Sequence, residues 1–251
     1  METANILNFN RLILVLKRQL FINMKTWLIG LSAGAGLILL VALLNLISGP
    51  EFYTNNAIES FGFTVFFIGG LIITSTIFNE LHYPDKSLHY LTLPASALEK
   101  LISALVISIL AYVVVGVFAL LLVNVIVWIL SLIIFGVGIT VFNPFSSEII
   151  NYVIFYYIFM HSFFFLGAVY FRKNNFIKTA LALFLIIITL VIFTSIFSYF
   201  IIGVGSYTTD NRMFFIKIED SGFIRFYEVF RVVLIPFLWI VAYFRLKERE
   251  V

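Results

Sequence analysis

The side chains that could do chemistry are few and widely spaced. The histidines are His82, His89 and His161. Their scatter suggests no metal site, and no HExxH, GxSxG or GxxxxGK[ST] pattern occurs. The sequence therefore names no catalytic residue, no metal ligand and no nucleotide-binding loop. His161 lies inside an apolar run, where an ionisable side chain is a functional candidate by default. No Asp, Glu or Lys shares that run. A neutral histidine bonded to a neighbouring helix is the expected reading, with a functional ionisable group as the alternative. Ser96 and Glu99 stand three apart just before an apolar run starting at Leu101. That is the capping-box spacing, in which each side chain satisfies the other residue's backbone N–H at a helix start.

The elements that must position these residues follow from composition. The chain has 251 residues, 62% hydrophobic, 18% aromatic and 12% charged, with a mean hydropathy of +1.10. Soluble domains carry about 25% charged residues. A soluble bundle would need a charged surface that this sequence lacks. The expectation is an all-α, polytopic membrane protein forming a single transmembrane domain. There is no cysteine, which excludes disulfide and thiolate chemistry. The N-terminal stretch does not read as a signal peptide, because its first residues are mixed and the apolar run after them is too long. Nothing points to nucleic acid.

Residues 5–25 suggest an amphipathic helix lying on an anionic membrane surface. Ile6, Phe9, Ile13, Leu16 and Leu20 share one face, opposite Asn8, Arg11, Arg18 and Lys25. The alternative is a cytoplasmic extension of the first span. Spans are expected over 27–47, 58–78, 101–131, 149–171, 177–204 and 226–244. Each is long enough for a hydrocarbon core of about 30 Å. Gly30 and Gly34 in the first form GxxxG, a close-packing face for another helix. Residues 205–225 form a polar outer segment.

The apolar stretch 101–139 is long enough to raise the question of one crossing or two. With one crossing, the inner side holds Arg11, Lys17, Arg18, Lys25, Lys86, Lys100, Arg172, Lys173, Lys178, Arg245, Lys247 and Arg249. The outer side holds Arg212, Lys217, Arg225 and Arg231. Two crossings would move the 172–178 cluster and the tail outside and blur this asymmetry. The positive-inside rule therefore favours six spans with both termini cytoplasmic.

The loop 79–100 is the long polar interruption in the first two thirds of the chain. Pro84-Asp85 is a turn and helix-start signal, with Asp85 able to cap the helix it opens. Lys86 to Leu91 suits a short helix. Thr92, Leu93 and Pro94 stop it, and Ser96 with Glu99 starts the next. A plain solvated loop is the alternative.

The segment Leu91-Thr-Leu-Pro94-Ala-Ser96-Ala-Leu-Glu99-Lys100 resembles the Leu-Pro-x-Ser segment after the second span of ABC-2 type transporter permeases, small Bacteroidetes permeases in particular. The family often has a basic residue just after the serine. Here Ala97 stands there, and the nearest base is Lys100. The resemblance implies a permease subunit in a bacterial plasma membrane, paired with a second permease as a homo- or heterodimer. It implies a separate P-loop ATPase that binds ATP and Mg, with no cofactor on this chain. The coupling helix would match Asp85, Lys86, Ser87, Leu88, His89, Tyr90 and Leu91. Leu88 and Leu91 would be the buried anchor with Tyr90 beside them, and Asp85, Lys86 and His89 the polar rim. The N-terminal helix would be a second contact. Spans lined by Phe, Ile, Leu and small polar groups suit an amphipathic, lipid-like or peptide cargo. Two rivals are a membrane scaffold or sensor subunit that docks an ATPase but moves nothing, and an intramembrane enzyme acting on lipid. The enzyme would need an Asp, His or Ser cluster at membrane depth that the sequence does not supply.

Overall fold

The computed structural model describes residues 7–47, 55–136, 138, 156–202 and 222–249, with side chains throughout these except at 55–59, 84–85, 198–202 and 222–228. In chain order the helices are α1 (Phe9–Ile47), α2 (Asn55–Thr76), a 3-10 turn (Asn79–His82), α3 (Pro84–Leu91) and α4 (Ala97–Leu105). A π-helical segment (Val106–Ala111) leads into α5 (Tyr112–Phe135). Then come α6 (Ile158–Tyr170), α7 (Asn175–Ile202) and α8 (Gly222–Glu248). The described residues hold no strand. Residues 149–155 of the expected fourth span, and 205–221 of the expected outer segment, lie outside the described residues.

Two rods dominate. α1 is one helix of 39 residues. The expected interfacial helix over 5–25 is not confirmed as a separate element, since the helix runs on past Trp27 without a break. No Gly or Pro lies between Lys25 and Trp27 to interrupt the bond ladder, and Trp27 is buried in the core. The second rod runs unbroken through α4, the π segment and α5, Ala97–Phe135, again 39 residues. It passes Asn124 without a turn, so no hairpin forms there. At 1.5 Å per residue each rod is about 58 Å long, nearly twice a hydrocarbon core of about 30 Å. Part of each must therefore stand outside that core or lie at a steep tilt.

Among the described residues four helical stretches are long and apolar enough to cross a membrane: Phe9–Ile47, Ala97–Phe135, Asn175–Phe197 and Val229–Glu248. Ser60–Thr76 and Ile158–Tyr170 are shorter apolar helices. α1 packs on α2, α4 and α5, while α6 packs on α2, α7 and α8. The α1–α2 contact uses Gly34, where an added Cβ would lie 3.2 Å from Val65 Cγ1. Gly30 meets open space. The two glycines therefore do not form one seam within the chain.

The core where α2 and the start of α6 meet the second rod is aromatic. Phe66, Tyr112 and Tyr157 meet with ring centroids 5.1–6.0 Å apart. Gly70 makes room for them, since a Cβ there would be 2.5 Å from Tyr157 and 2.6 Å from Tyr112. The π segment loosens the regular backbone ladder, and cross-helix bonds gather where it does. Tyr157 Oη donates to the Ser108 carbonyl at 2.9 Å. His161 Nε2 lies 2.8 Å from Ser108 Oγ.

Candidate functional site

The stretch between α2 and α4 folds into a small platform at one end of the rods. Its middle is α3. Tyr83, in extended conformation (φ −102°, ψ 124°), occupies the N-cap without a side-chain cap bond, and Pro84 fills the first turn. Proline suits that position because its missing N–H would have no helical partner anyway. Asp85 is thus inside the helix rather than at its cap; its side chain lies outside the described residues. The far end closes where the backbone N–H and Oγ of Thr92 both donate to the Leu88 carbonyl, at 3.0 and 2.8 Å. The expected helix and its stop are present.

The faces of α3 differ from the expectation. Tyr90 is 1% exposed, and Lys100 Nζ sits 5.3 Å from its ring centroid. Its ring packs into this chain's own core, so it is not an anchor for a partner. Leu91 is half-buried, and Leu88 is 65% exposed. Lys86 and His89 are exposed and Ser87 half-buried. α3 therefore presents one apolar knob, Leu88, flanked by two basic-type side chains. Lys100 is itself buried and lies 3.4 Å from the Leu91 carbonyl. The nearest base to the Leu-Pro-x-Ser segment thus ties α4 to α3 instead of facing outward.

The capping box forms in full. Ser96 (φ −70°, ψ 156°) accepts from the Glu99 N–H at 3.2 Å, and its own N–H donates to Glu99 Oε2 at 2.8 Å. The other carboxylate oxygen reaches further. Glu99 Oε1 accepts from the Asn8 backbone N–H at 2.6 Å and lies 3.9 Å from Arg11 Nε. One fully buried carboxylate thus starts α4 and pins the start of α1. Two more ties reach α1, one from the 3-10 turn and one from α4. Arg18 Nη1 donates to Glu80 at 2.9 Å, and Ser103 Oγ donates to buried Gln19 at 3.1 Å. Between these ties a groove of about 150 Å³ opens, lined by Arg11, Leu14, Val15, Arg18, Leu93, Pro94 and Ala95. The sequence sets Arg11 and Arg18 on the polar face of an interfacial helix, opposite its apolar face. Their partners, Glu99 and Glu80, are 88 and 62 residues away and leave no local signal.

His82 ties the platform to the opposite side of the molecule. Its Nε2 lies 2.7 Å from the Ala168 carbonyl in α6, and its Nδ1 lies 3.3 Å from Arg249 Nη1. Burial holds His82 below its ordinary value of 6.5, and the cations of Arg249, Arg172 and Lys178 push the same way; the Ala168 bond pushes back. The network assigns a neutral ring with the proton on Nε2. His161 is fully buried and stacked on Phe165, with ring centroids 5.5 Å apart. Its bond to Ser108 is the neighbouring-helix bond expected from the sequence. Among the described residues no His, Cys, Asp and Glu cluster could hold a metal ion.

Among the described residues the structure is helical without strands, and four helices are long and apolar enough to cross a membrane; this defines the class as a membrane protein, with a polar platform built at one end of its longest helices. Comparison with protein-family models, curated proteins and solved structures gives no match.

Proposed function

We propose that this chain is the permease subunit of an ABC transporter of the ABC-2 type, docking a separate P-loop ATPase through α3. The observation that carries the reading is the platform itself. A two-turn helix exposes Leu88 while Glu99, Arg18, Lys100 and His82 fix its flanks to α1, α4 and α6. A helix so held passes a push to the rods instead of yielding locally. ATP and Mg belong to the partner chain, whose closure would move α3 and with it α1 and α4.

In this reading the chain crosses a bacterial plasma membrane six times with both termini cytoplasmic. Four long helices and two shorter apolar ones supply that number. A second permease, identical or similar, completes the path, and α7, with large apolar side chains exposed from Ile177 to Phe197, offers it apolar surface. The cargo is amphipathic: lipid-like or peptide.

The test is co-purification of the ATPase with loop variants, together with cargo-dependent ATP hydrolysis. Interface energy concentrates in a few central apolar anchors, each worth about 2 kcal/mol or more, while rim charges matter less. Leu88→Glu should release the ATPase, and Lys86→Ala should retain it. Wild-type behaviour of Leu88→Glu in both assays would place docking elsewhere. Lost co-purification without any cargo-dependent hydrolysis in the wild type would instead identify a scaffold or sensor subunit.

A further inference from the structure

The densest positive charge in the described residues lies away from the platform's docking face. The turn between α6 and α7 carries Arg172 and Lys173, the first turn of α7 carries Lys178, and the end of α8 carries Arg245, Lys247 and Arg249. The fold brings the two stretches together. Arg249 Nη2 donates to the Tyr170 carbonyl at 3.2 Å, and the Arg245 guanidinium carbon lies 5.1 Å from the Tyr170 ring centroid. Lys178 Nζ donates to the Arg172 carbonyl at 2.7 Å, fixing the turn in which Lys173 and Asn174 both take φ of 53°. Glu248, 2.7 Å from Arg245, is the carboxylate paired with this group among the described residues; Glu250 comes next but one in sequence and lies outside them.

We infer that this cluster is a binding site for the headgroup of an anionic phospholipid. Four features support that occupant over others. First, the charge is unbalanced at short range. Arg249 is held below its ordinary value by burial and by the neighbouring cations of Arg245 and Arg172, so an anion placed there relieves a repulsion already present. Second, the cluster lies where membrane-crossing stretches end, at the start of Asn175–Phe197 and the finish of Val229–Glu248. That is headgroup depth, where each basic side chain contributes about 1 kcal/mol to anionic lipid binding. Third, the surface next to it is apolar. Ile177 and Leu181 on α7 and Phe244 on α8 are each more than half exposed, a wall for acyl chains. Fourth, the other basic stretch is already partly neutralised from within, since Arg11 and Arg18 face Glu99 and Glu80. The inference requires only the membrane setting and not the transport reading.

The test is native mass spectrometry of the full chain in detergent, with dioleoyl phosphatidylglycerol, dioleoyl phosphatidylcholine or inorganic phosphate added. The wild type should retain phosphatidylglycerol over phosphatidylcholine. The exposed pair Arg172→Gln/Lys178→Gln should lower that retention roughly tenfold or more, given about 1 kcal/mol per charge. Lys17→Gln/Lys25→Gln, which removes the same charge from exposed positions of α1, should leave it within about twofold. Melting of each variant in phosphatidylcholine reports on folding separately. Equal retention of the two lipids, or equal loss in both double variants, would overturn the site. Displacement of phosphatidylglycerol by excess inorganic phosphate would show that the cluster serves a free anion instead.

Discussion

The platform and helix α7 are opposite solutions to holding a helix in place. Between Glu80 and Ser103 four polar side chains reach distant elements: Glu80 to Arg18, His82 to Ala168, Glu99 to Asn8, Ser103 to Gln19. Among its described side chains α7 has such a tie in its first turn, where Asn175 donates to the Ser75 carbonyl at 3.3 Å. Beyond that, Thr189, Thr194 and Ser195 bond back to carbonyls of their own helix, and large apolar side chains are exposed on every face. The difference locates specificity. Directional bonds fix the platform to its neighbours one partner at a time. α7 gains from an apolar surrounding that many side chains satisfy equally well.

The sharpest way to break this comparison is to remove Glu99. Glu99→Ala deletes one half of the capping box, the bond to the Asn8 N–H and the charge near Arg11, all in a buried place. Charge-assisted bonds contribute about 1.5–3 kcal/mol each, and they share one carboxylate here. The expected loss is about 3 kcal/mol of stability, read as a lowered melting temperature in detergent. Cleavage near residue 8 by added protease should rise as the start of α1 comes loose. Glu99→Gln keeps an oxygen for the Ser96 N–H and should lose less. Equal melting of Glu99→Ala and wild type would mean that α1 is held by packing alone. Ser96→Ala should come next, at about 0.5–2 kcal/mol, because it removes only the cap bond to the Glu99 N–H.

These two predictions rest on the part of the molecule most legible in sequence. Ser96 and Glu99 are three residues apart, and the box closes within one turn, so spacing alone reveals it. α3 was legible for the same reason: Pro84 and Pro94 bracket it locally. The face of α3 was not. Whether Tyr90 or Leu88 points inward depends on Lys100 and the core behind it, which an eight-residue pattern does not encode. The continuity of α1 was hidden by a polarity change at Lys25 and Thr26 that resembles a boundary but breaks no backbone bond. Glu99 itself shows the division. Its bond to Ser96 is readable, while its bond to Asn8 spans 91 residues and depends on α1 crossing α4. The π segment over Val106–Ala111 likewise carries no Gly or Pro to mark it.

His82 sharpens the comparison by making one platform tie depend on pH. In the folded chain its charged form is disfavoured, and the unfolded chain titrates near 6.5. As pH falls towards and below that value, the unfolded state takes up the proton more readily than the folded one. Stability from this site is therefore complete above the unfolded value and is lost as pH falls through it. A second proton would also put N–H on Nδ1, facing the Arg249 guanidinium. Melting temperature should drop between about pH 7.5 and about pH 5.5 in the wild type. His82→Gln should flatten that step at some cost in stability at the upper end. An unchanged step in the variant would assign the pH dependence to another group.

The smallest effect is expected on α7, and its smallness is the test. Ile187 lies mid-helix, 55% exposed, among neighbours that are exposed as well. In a soluble protein, truncating such a side chain would cost little because water surrounds it. In a bilayer it would cost little because lipid fills the space. A second subunit packed against α7 gives another outcome, since a buried large-to-small change typically costs about 2–5 kcal/mol. Ile187→Ala should therefore lie within about 0.5 kcal/mol of wild type in the isolated chain. In the assembled transporter proposed above, a larger loss at Ile187 than at Leu181 or Phe193 would mark the side of α7 that meets the partner. Uniform tolerance at all three positions would leave α7 facing lipid, and the dimer contact would then fall to another helix.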